Sequence, residues 1–175
     1  MKYTAASCLL AMALSSVSWT AHATSPAQWQ AMASTASVTL EHAAEQAVQL
    51  VPGKVAEIEL DNDGDKGVRY EAQVITPAGD SVEVWVDAIS GQARIHKNDG
   101  PAKIKDIDRT NGAQISLTHA VRSALKHTIG TPVQAELDTH WGVLMYKVDV
   151  LQSEHTLTQV KVDAGDGQII GIKME

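Results

Sequence analysis

The chain contains no phenylalanine and a single cysteine, Cys8. Cys8 lies in an apolar N-terminal stretch, and the rest of the chain therefore excludes disulfide bonds, thiolate metal sites and cysteine nucleophiles. Basic residues are also few: 14 Lys and Arg stand against 21 Asp and Glu, a formal charge of −7. Such a surface repels phosphate backbones and anionic lipid head groups, so neither nucleic acid nor a membrane surface is an expected partner.

The one long apolar stretch runs from Ala5 to Trp19, behind Lys2 and ahead of the small-residue sequence Ala21-His22-Ala23. This order is typical of a secretory signal peptide cleaved after Ala23. A membrane anchor is the alternative, but the stretch is shorter than the ~20 apolar residues that span a bilayer. We expect residues 1–23 to be removed and the mature protein to be periplasmic or secreted, with no membrane span.

Two parts of the chain are near copies of each other. Thr39 to Gly53 returns as Ser116 to Gly130, 77 positions later, and Val84 to Gln92 returns as Val160 to Gln168, 76 positions later. The copies share a helix start, a glycine after the helix and a strand-turn, which specify folding rather than chemistry. The predicted organisation is a signal peptide at 1–23, an N-terminal segment at 24–36, module 1 at 37–98, a linker at 99–113 and module 2 at 114–175.

Each module begins with an amphipathic helix. Apolar residues recur at helical spacing after Thr39 and after Ser116, which are both good N-caps. Helices are predicted over Thr39 to Leu50 and Ser116 to Lys126. Gly53 and Gly130 are expected to end them by adopting the left-handed conformation.

Strands follow each helix, because the apolar period changes from 3.6 to two and turn residues separate the alternating runs. The predicted fold class is α+β, with each module consisting of one α-helix packed on a roughly four-stranded antiparallel sheet. Before module 1, Ser25 caps a short helix carrying Trp29 and Met32. In the linker, a short strand at Ile104 to Ile107 is one option.

The motif order resembles the PepSY domain in both copies. It consists of Ser/Thr-Leu-x-x-Ala-x-x-x-Ala, a glycine, Tyr-x-x-x-Val and Val-x-Val-Asp-Ala-x-x-Gly. The residues that carry it are Thr39, Leu40, Ala43, Ala47, Gly53, Tyr70, Val74, Val84, Val86, Asp87, Ala88 and Gly91, and then Ser116, Leu117, Ala120, Ala124, Gly130, Tyr146, Val150, Val160, Val162, Asp163, Ala164 and Gly167. The resemblance implies a small extracytoplasmic binding module, of a kind also found in propeptides of thermolysin-type metallopeptidases, and no catalytic residues.

The motif residues have structural explanations. Asp87 and Asp163 precede a glycine by four positions, so each is expected to accept hydrogen bonds from turn N–H groups. Tyr70 and Tyr146 are in phase with inward-facing valines and are expected in the core.

The sequence predicts no catalytic, cofactor or metal residues. Asp61 to Asp65 resembles the start of a calcium loop, but Lys66 and Ala72 occupy the positions where an EF-hand needs glycine and glutamate. Among the histidines, His42 and His119 occupy matching positions in the two modules. These two, or surface histidines, are the candidates if the protein holds a metal.

Two tryptophans are candidate partner-binding residues. Trp85 alternates with inward-facing Val84 and Val86, which places its indole on the polar face of the sheet. It is either covered, by the other module or by the N-terminal segment, or it is an exposed anchor for a partner. Trp141, beside Gly142 in a predicted hairpin turn, is a weaker candidate of the same kind.

The functional hypothesis is an exported, non-enzymatic protein that binds another protein and regulates an extracytoplasmic protease. The alternative is a metal- or small-ligand-responsive accessory protein of an envelope sensing system.

Overall fold

The computed structural model describes residues 24–62, 64, 67–152 and 156–174, so the predicted signal peptide, most of the Asp63 to Lys66 turn and His155 lie outside it. Within these residues, four helices and eight strands follow one another. They are α1 (Pro26–Thr35), α2 (Leu40–Leu50), β1 (Lys54–Asn62), β2 (Val68–Ile75), β3 (Asp80–Asp87), β4 (Ala93–Pro101), α3 (Ile104–Gly112), α4 (Leu117–His127), β5 (Thr131–His140), β6 (Val143–Leu151), β7 (Leu157–Asp163) and β8 (Ile169–Met174).

The two predicted module helices are present with their predicted caps. The Thr39 side chain accepts a hydrogen bond from the His42 N–H at 3.2 Å, and the Ser116 side chain does the same for the His119 N–H at 3.2 Å. Each cap satisfies an N–H group that the first turn leaves without an intrahelical partner. None of the helices in the described part of the chain is long and apolar enough to cross a membrane.

The module helices α2 and α4 each pack on the antiparallel strands of their own module, as the α+β prediction requires. The two sets of four strands nevertheless form one sheet. The strand order is β4-β3-β2-β1-β5-β6-β7-β8. The modules are joined where β1 pairs with β5 over three positions: Glu57 with Glu136, Ile58 with Ala135, and Glu59 with Gln134. The hydrophobic pattern of the sequence does not predict such a joint. The alternation of apolar residues in β1 is the same whether its outer edge is exposed to solvent or paired with another strand.

The joint lies on the two-fold axis of the internal repeat. Ile58 and Ala135 are equivalent positions of the two copies, and they pair with each other. On the helix layer above, the equivalent residues Glu45 and Arg122 form an ion pair at 2.9 Å. The tandem repeat therefore packs as an internal dimer of modules, with the same edge strand contributed by each copy.

The linker forms the helix α3. The alternative prediction of a short strand at Ile104 to Ile107 is therefore wrong. The amphipathic spacing of Ile107 and Thr110 suits a helix, and the Thr110 hydroxyl donates to the Asp106 carbonyl at 2.8 Å. Helix α1 lies 77 positions earlier in the chain and is the equivalent of α3 in the first copy. It has the predicted Ser25 cap. Helix α1 contacts β1, β5 and β6, and α3 contacts β5, β1 and β2, so each crosses the joint to the other module.

The core lies between the sheet and the pair α2 and α4. Tyr70 and Tyr146 are buried in it as predicted, and their hydroxyls donate to the Val38 carbonyl at 2.7 Å and the Ile115 carbonyl at 2.9 Å. Burial raises the pKa of each phenol to about 12. These hydrogen bonds fix the segment that enters each module helix onto the second strand.

The repeated aspartates hold the strand-turns as predicted. The Asp87 carboxylate accepts the N–H groups of Ile89 and Ser90 at 3.1 and 2.7 Å, and the hydrogen bonds from Ser90 lower its pKa. The Asp163 carboxylate accepts the Gly165 N–H at 2.7 Å.

Gly53 and Gly130 have a different role from the predicted one, because neither has a positive φ. A Cβ added to Gly53 would lie 2.5 Å from the Ile75 carbonyl oxygen, and one added to Gly130 would lie 2.3 Å from that of Leu151. Both glycines are thus required by close contact between the start of the first strand and the end of the second.

Replacing either glycine is therefore expected to destabilise the protein. Gly53→Ala and Gly130→Ala should each lower the free energy of unfolding by about 1–3 kcal/mol, the cost of overpacking against immovable backbone. Gly171→Ala is the control, since its Cβ would meet only the Lys161 side chain at 3.5 Å. Urea denaturation of the three variants measures the difference; equal effects at Gly53 and Gly171 would contradict the close-contact explanation.

Candidate functional site

A groove of about 650 Å³ opens on the face of the sheet opposite α2 and α4. Its floor is the polar face of β1, β2 and β3, and its walls are the end of β4 and the start of α3. The charged residues lining it are Glu57, Glu59, Glu71, Glu83, Lys97, Asp99, Lys103 and Asp106. Carboxylates outnumber cations in this groove, so it favours a positively charged ligand.

The carboxylates on the floor are close because the sheet register places them opposite one another. Glu59 pairs across the strands with Glu71, and Glu57 pairs with Glu136 across the joint. Burial, with the nearby charges of Glu57, Asp61 and Glu71, raises the pKa of Glu59 to about 7. Burial also raises the pKa of Glu57, with Glu136 adding to the effect.

The equivalent surface of module 2 has compensated charges. Lys147 occupies the position equivalent to Glu71, and its Nζ lies 2.9 Å from Glu136 and 2.5 Å from Asp138. Burial disfavours the charged form of Asp138, but its hydrogen bonds, that from Lys147 foremost, outweigh this and lower its pKa. The two copies thus agree in their folding residues and differ on this face, where only module 1 concentrates negative charge.

Trp85 borders this surface and is covered, with 5% of its area exposed. His96 stacks on the indole at 3.6 Å between ring centroids, and the Arg69 guanidinium lies 3.8 Å from the ring centroid. The indole N–H donates to the Glu83 carboxylate at 2.5 Å. Arg69 and His96 belong to the neighbouring strands β2 and β4. The expected cover was the other module or the N-terminal segment. The low exposure of Trp85 favours the covered alternative.

Arg69 connects the tryptophan to the carboxylates. Its guanidinium contacts Asp61 at 2.8 Å and also pairs with Glu71. For Glu71, burial raises the pKa more than the hydrogen bond from Arg69 lowers it. Arg69 was not singled out from the sequence, although its place opposite Asp87, one residue before Tyr70, puts it on the polar face of β2.

Trp141 belongs to module 2 and does not line the groove. It occupies the β5–β6 turn with φ 53°, is 91% exposed and meets the His140 ring edge-on at 5.8 Å. An exposed aromatic side chain in a turn suits contact with a partner. Its role in binding stays a prediction.

The structure does not bring His42 and His119 together in one site. His42 lies against the turn at Gly91 and His119 against the turn at Gly167, each within its own module. Within the residues that the structure describes, no group of three or more His, Cys, Asp or Glu side chains is arranged to hold a metal ion.

The repeated modules match a known family model. The model described as "Peptidase propeptide and YPEB domain", PepSY, matches residues 37–94 and again 114–173. The chain belongs to the PepSY family. Its repeats are thus tandem PepSY domains, and the floor of the acidic groove belongs to the first of them.

Two further proteins are similar to this tandem PepSY chain. The uncharacterized protein YkoJ of Bacillus subtilis is 30% identical over 143 residues, which cover 81% of this chain and 77% of YkoJ. The solved structure of a candidate lipoprotein from Clostridium difficile 630 has 16% sequence identity and a TM-score of 0.46, and the match covers 82% of this chain and 97% of that one.

The raised pKa of Glu59 makes stability dependent on pH. Below pH 4.5 the carboxyl is protonated in both folded and unfolded states. As pH rises toward about 7 the unfolded state releases the proton first, so the free energy of unfolding falls through this interval. After allowance for partial solvent exposure the loss is about 1–2 kcal/mol.

Glu59→Gln should therefore stabilise the protein by about 1–2 kcal/mol at pH 8 and change little at pH 4. Urea denaturation at both pH values measures this. The control is Glu136→Gln at the equivalent position, which loses the ion pair with Lys147 and should give no stabilisation at pH 8.

Trp85→Ala is expected to lower the free energy of unfolding by roughly 3–5 kcal/mol, as truncation of a covered aromatic does. The control is Lys161→Ala at the equivalent position of module 2, which should cost under about 1 kcal/mol. Thermal and urea denaturation measure both. A Trp85 variant as stable as the wild type would show that the cover provided by Arg69 and His96 contributes little.

Proposed function

We propose that this tandem PepSY protein is an exported, non-catalytic binding protein that regulates an extracytoplasmic protease. The family match supports a binding role, because the description of the matching model names a peptidase propeptide and no enzyme. The predicted signal peptide at 1–23 supports export. In this proposal the protein acts by occupying a surface of its partner.

The groove of module 1 is the proposed contact site. The observation that carries this assignment is the difference between the two copies: Glu57, Glu71 and Glu83 stand where module 2 has Gln134, Lys147 and Gln159. Arg69 pairs with Glu71, whereas Glu57 and Glu59 have no cation partner among the described residues, and half-buried carboxylates in that state cost stability. A basic partner segment with lysine or arginine side chains would neutralise Glu57 and Glu59 and relieve that cost.

The test is a crosslinking pull-down from the native compartment with wild-type protein and the double variant Glu57→Gln/Glu59→Gln. The variant removes two repelling charges and is expected to fold at least as well as the wild type, so a lost partner reflects lost binding. The double variant Glu41→Gln/Asp108→Asn is the control, with the same change of charge outside the groove.

We expect wild type and control to capture a protease and inhibit it, and the groove variant to bind it at least about tenfold more weakly. Binding should also weaken with added salt. Equal capture by the groove variant would place the contact elsewhere, and a captured partner without peptidase activity would overturn the protease assignment.

A further inference from the structure

The two outer edges of the sheet differ although they are equivalent strands of the repeat. Strand β4 carries Arg94, Lys97 and Asp99 and ends at Pro101, and helix α2 reaches across the sheet to contact it. Charges, proline and a covering helix are the usual protections of an edge strand. Strand β4 is thus a protected edge.

Strand β8 is the less protected edge. Its sequence is Ile-Ile-Gly-Ile-Lys-Met, and the main sheet contacts of α4 are with β5, β6 and β7. Three apolar residues are exposed: Ile172 at 56%, Met174 at 75% and Ile170, in a bulge, at 46%. Since Ile172 and Met174 pair with the buried residues Val160 and Thr158, both lie on the helix side of the sheet. Among the described strands β8 pairs only with β7, and an apolar outer edge of this kind is suited to accept another strand.

We propose that β8 pairs with β8 of a second copy of this chain, antiparallel and centred on Ile172, to form a homodimer with a continuous sixteen-stranded sheet. In this register Ile172 faces the same residue of the second copy, and the two isoleucine side chains cover one another on the helix side. Met174, on the same side, lies opposite the bulge at Ile170.

Charge and precedent both favour a second copy as the occupant. In the same register Lys173 lies opposite Gly171, so no like charges are directly paired and the lysine stem covers a position without a side chain. Within one chain, equivalent strands of the repeat already pair antiparallel about a two-fold axis at Ile58 and Ala135. That joint spans three residue pairs, and β8 offers a longer edge.

Sedimentation equilibrium of the purified mature protein, residues 24–175, from about 2 to 200 µM, tests the proposal. An interface this small suggests a dissociation constant on the order of 10 µM. Ile172→Lys sets like charges opposite each other and should raise that constant at least about tenfold. Ile95→Lys is the matched control: Ile95 is the equivalent residue on β4, is 55% exposed and should leave the dimer unchanged.

Disulfide trapping gives the register. In the mature protein, which contains no other cysteine, Ile172→Cys should crosslink to itself under mild oxidation, since directly opposed residues in antiparallel strands lie within disulfide reach. Lys173→Cys should not, because it faces Gly171. A wild-type chain that stays monomeric at 200 µM overturns the proposal, as does a dimer insensitive to Ile172→Lys. Binding of an extended segment of another protein at β8 without self-association overturns the second copy as its occupant.

Discussion

The pairing of β1 with β5 is the constraint on which the rest of the structure depends. Each module alone is a helix on four strands, too small to bury much of its surface. Pairing the two first strands removes one exposed edge from each and brings α2 beside α4. It also sets α1 and α3 across the joint, so every helix contributes to holding the two copies together. The register of three residue pairs therefore determines where the groove, the helices and the outer edges lie.

The same joint explains the electrostatics of the groove. Antiparallel pairing about Ile58 and Ala135 places Glu57 opposite Glu136, and pairing of β1 with β2 places Glu59 opposite Glu71. Like charges directly opposite each other are destabilising. Lys147 compensates the module 2 side, while the module 1 side retains glutamates whose pKa values are raised by burial.

Much of the fold follows from the sequence because it is encoded locally. Helix caps at Thr39 and Ser116, alternation in the strands and the Asp87 and Asp163 turns each act over a few residues, and all were predicted. The joint, the helix at Ile104–Gly112 and the real reason for Gly53 and Gly130 depend on contacts between distant segments, which composition and periodicity do not report. The candidate site was missed for the same reason. Its glutamates look like an ordinary solvated face until the register and α3 enclose them.

Trp85 shows how the two kinds of information combine. Alternation correctly assigns it to the polar face, yet the side chain is buried, because Arg69 and His96 cover it on a surface that would otherwise meet water. Arg69 is held there by Asp61 and Glu71, so Glu71, a carboxylate of the groove, also positions the cation that covers the indole. A bound basic segment that reached Glu71 would compete with Arg69 for the same oxygens and so alter the cover of Trp85. The groove and the tryptophan are therefore coupled through Arg69.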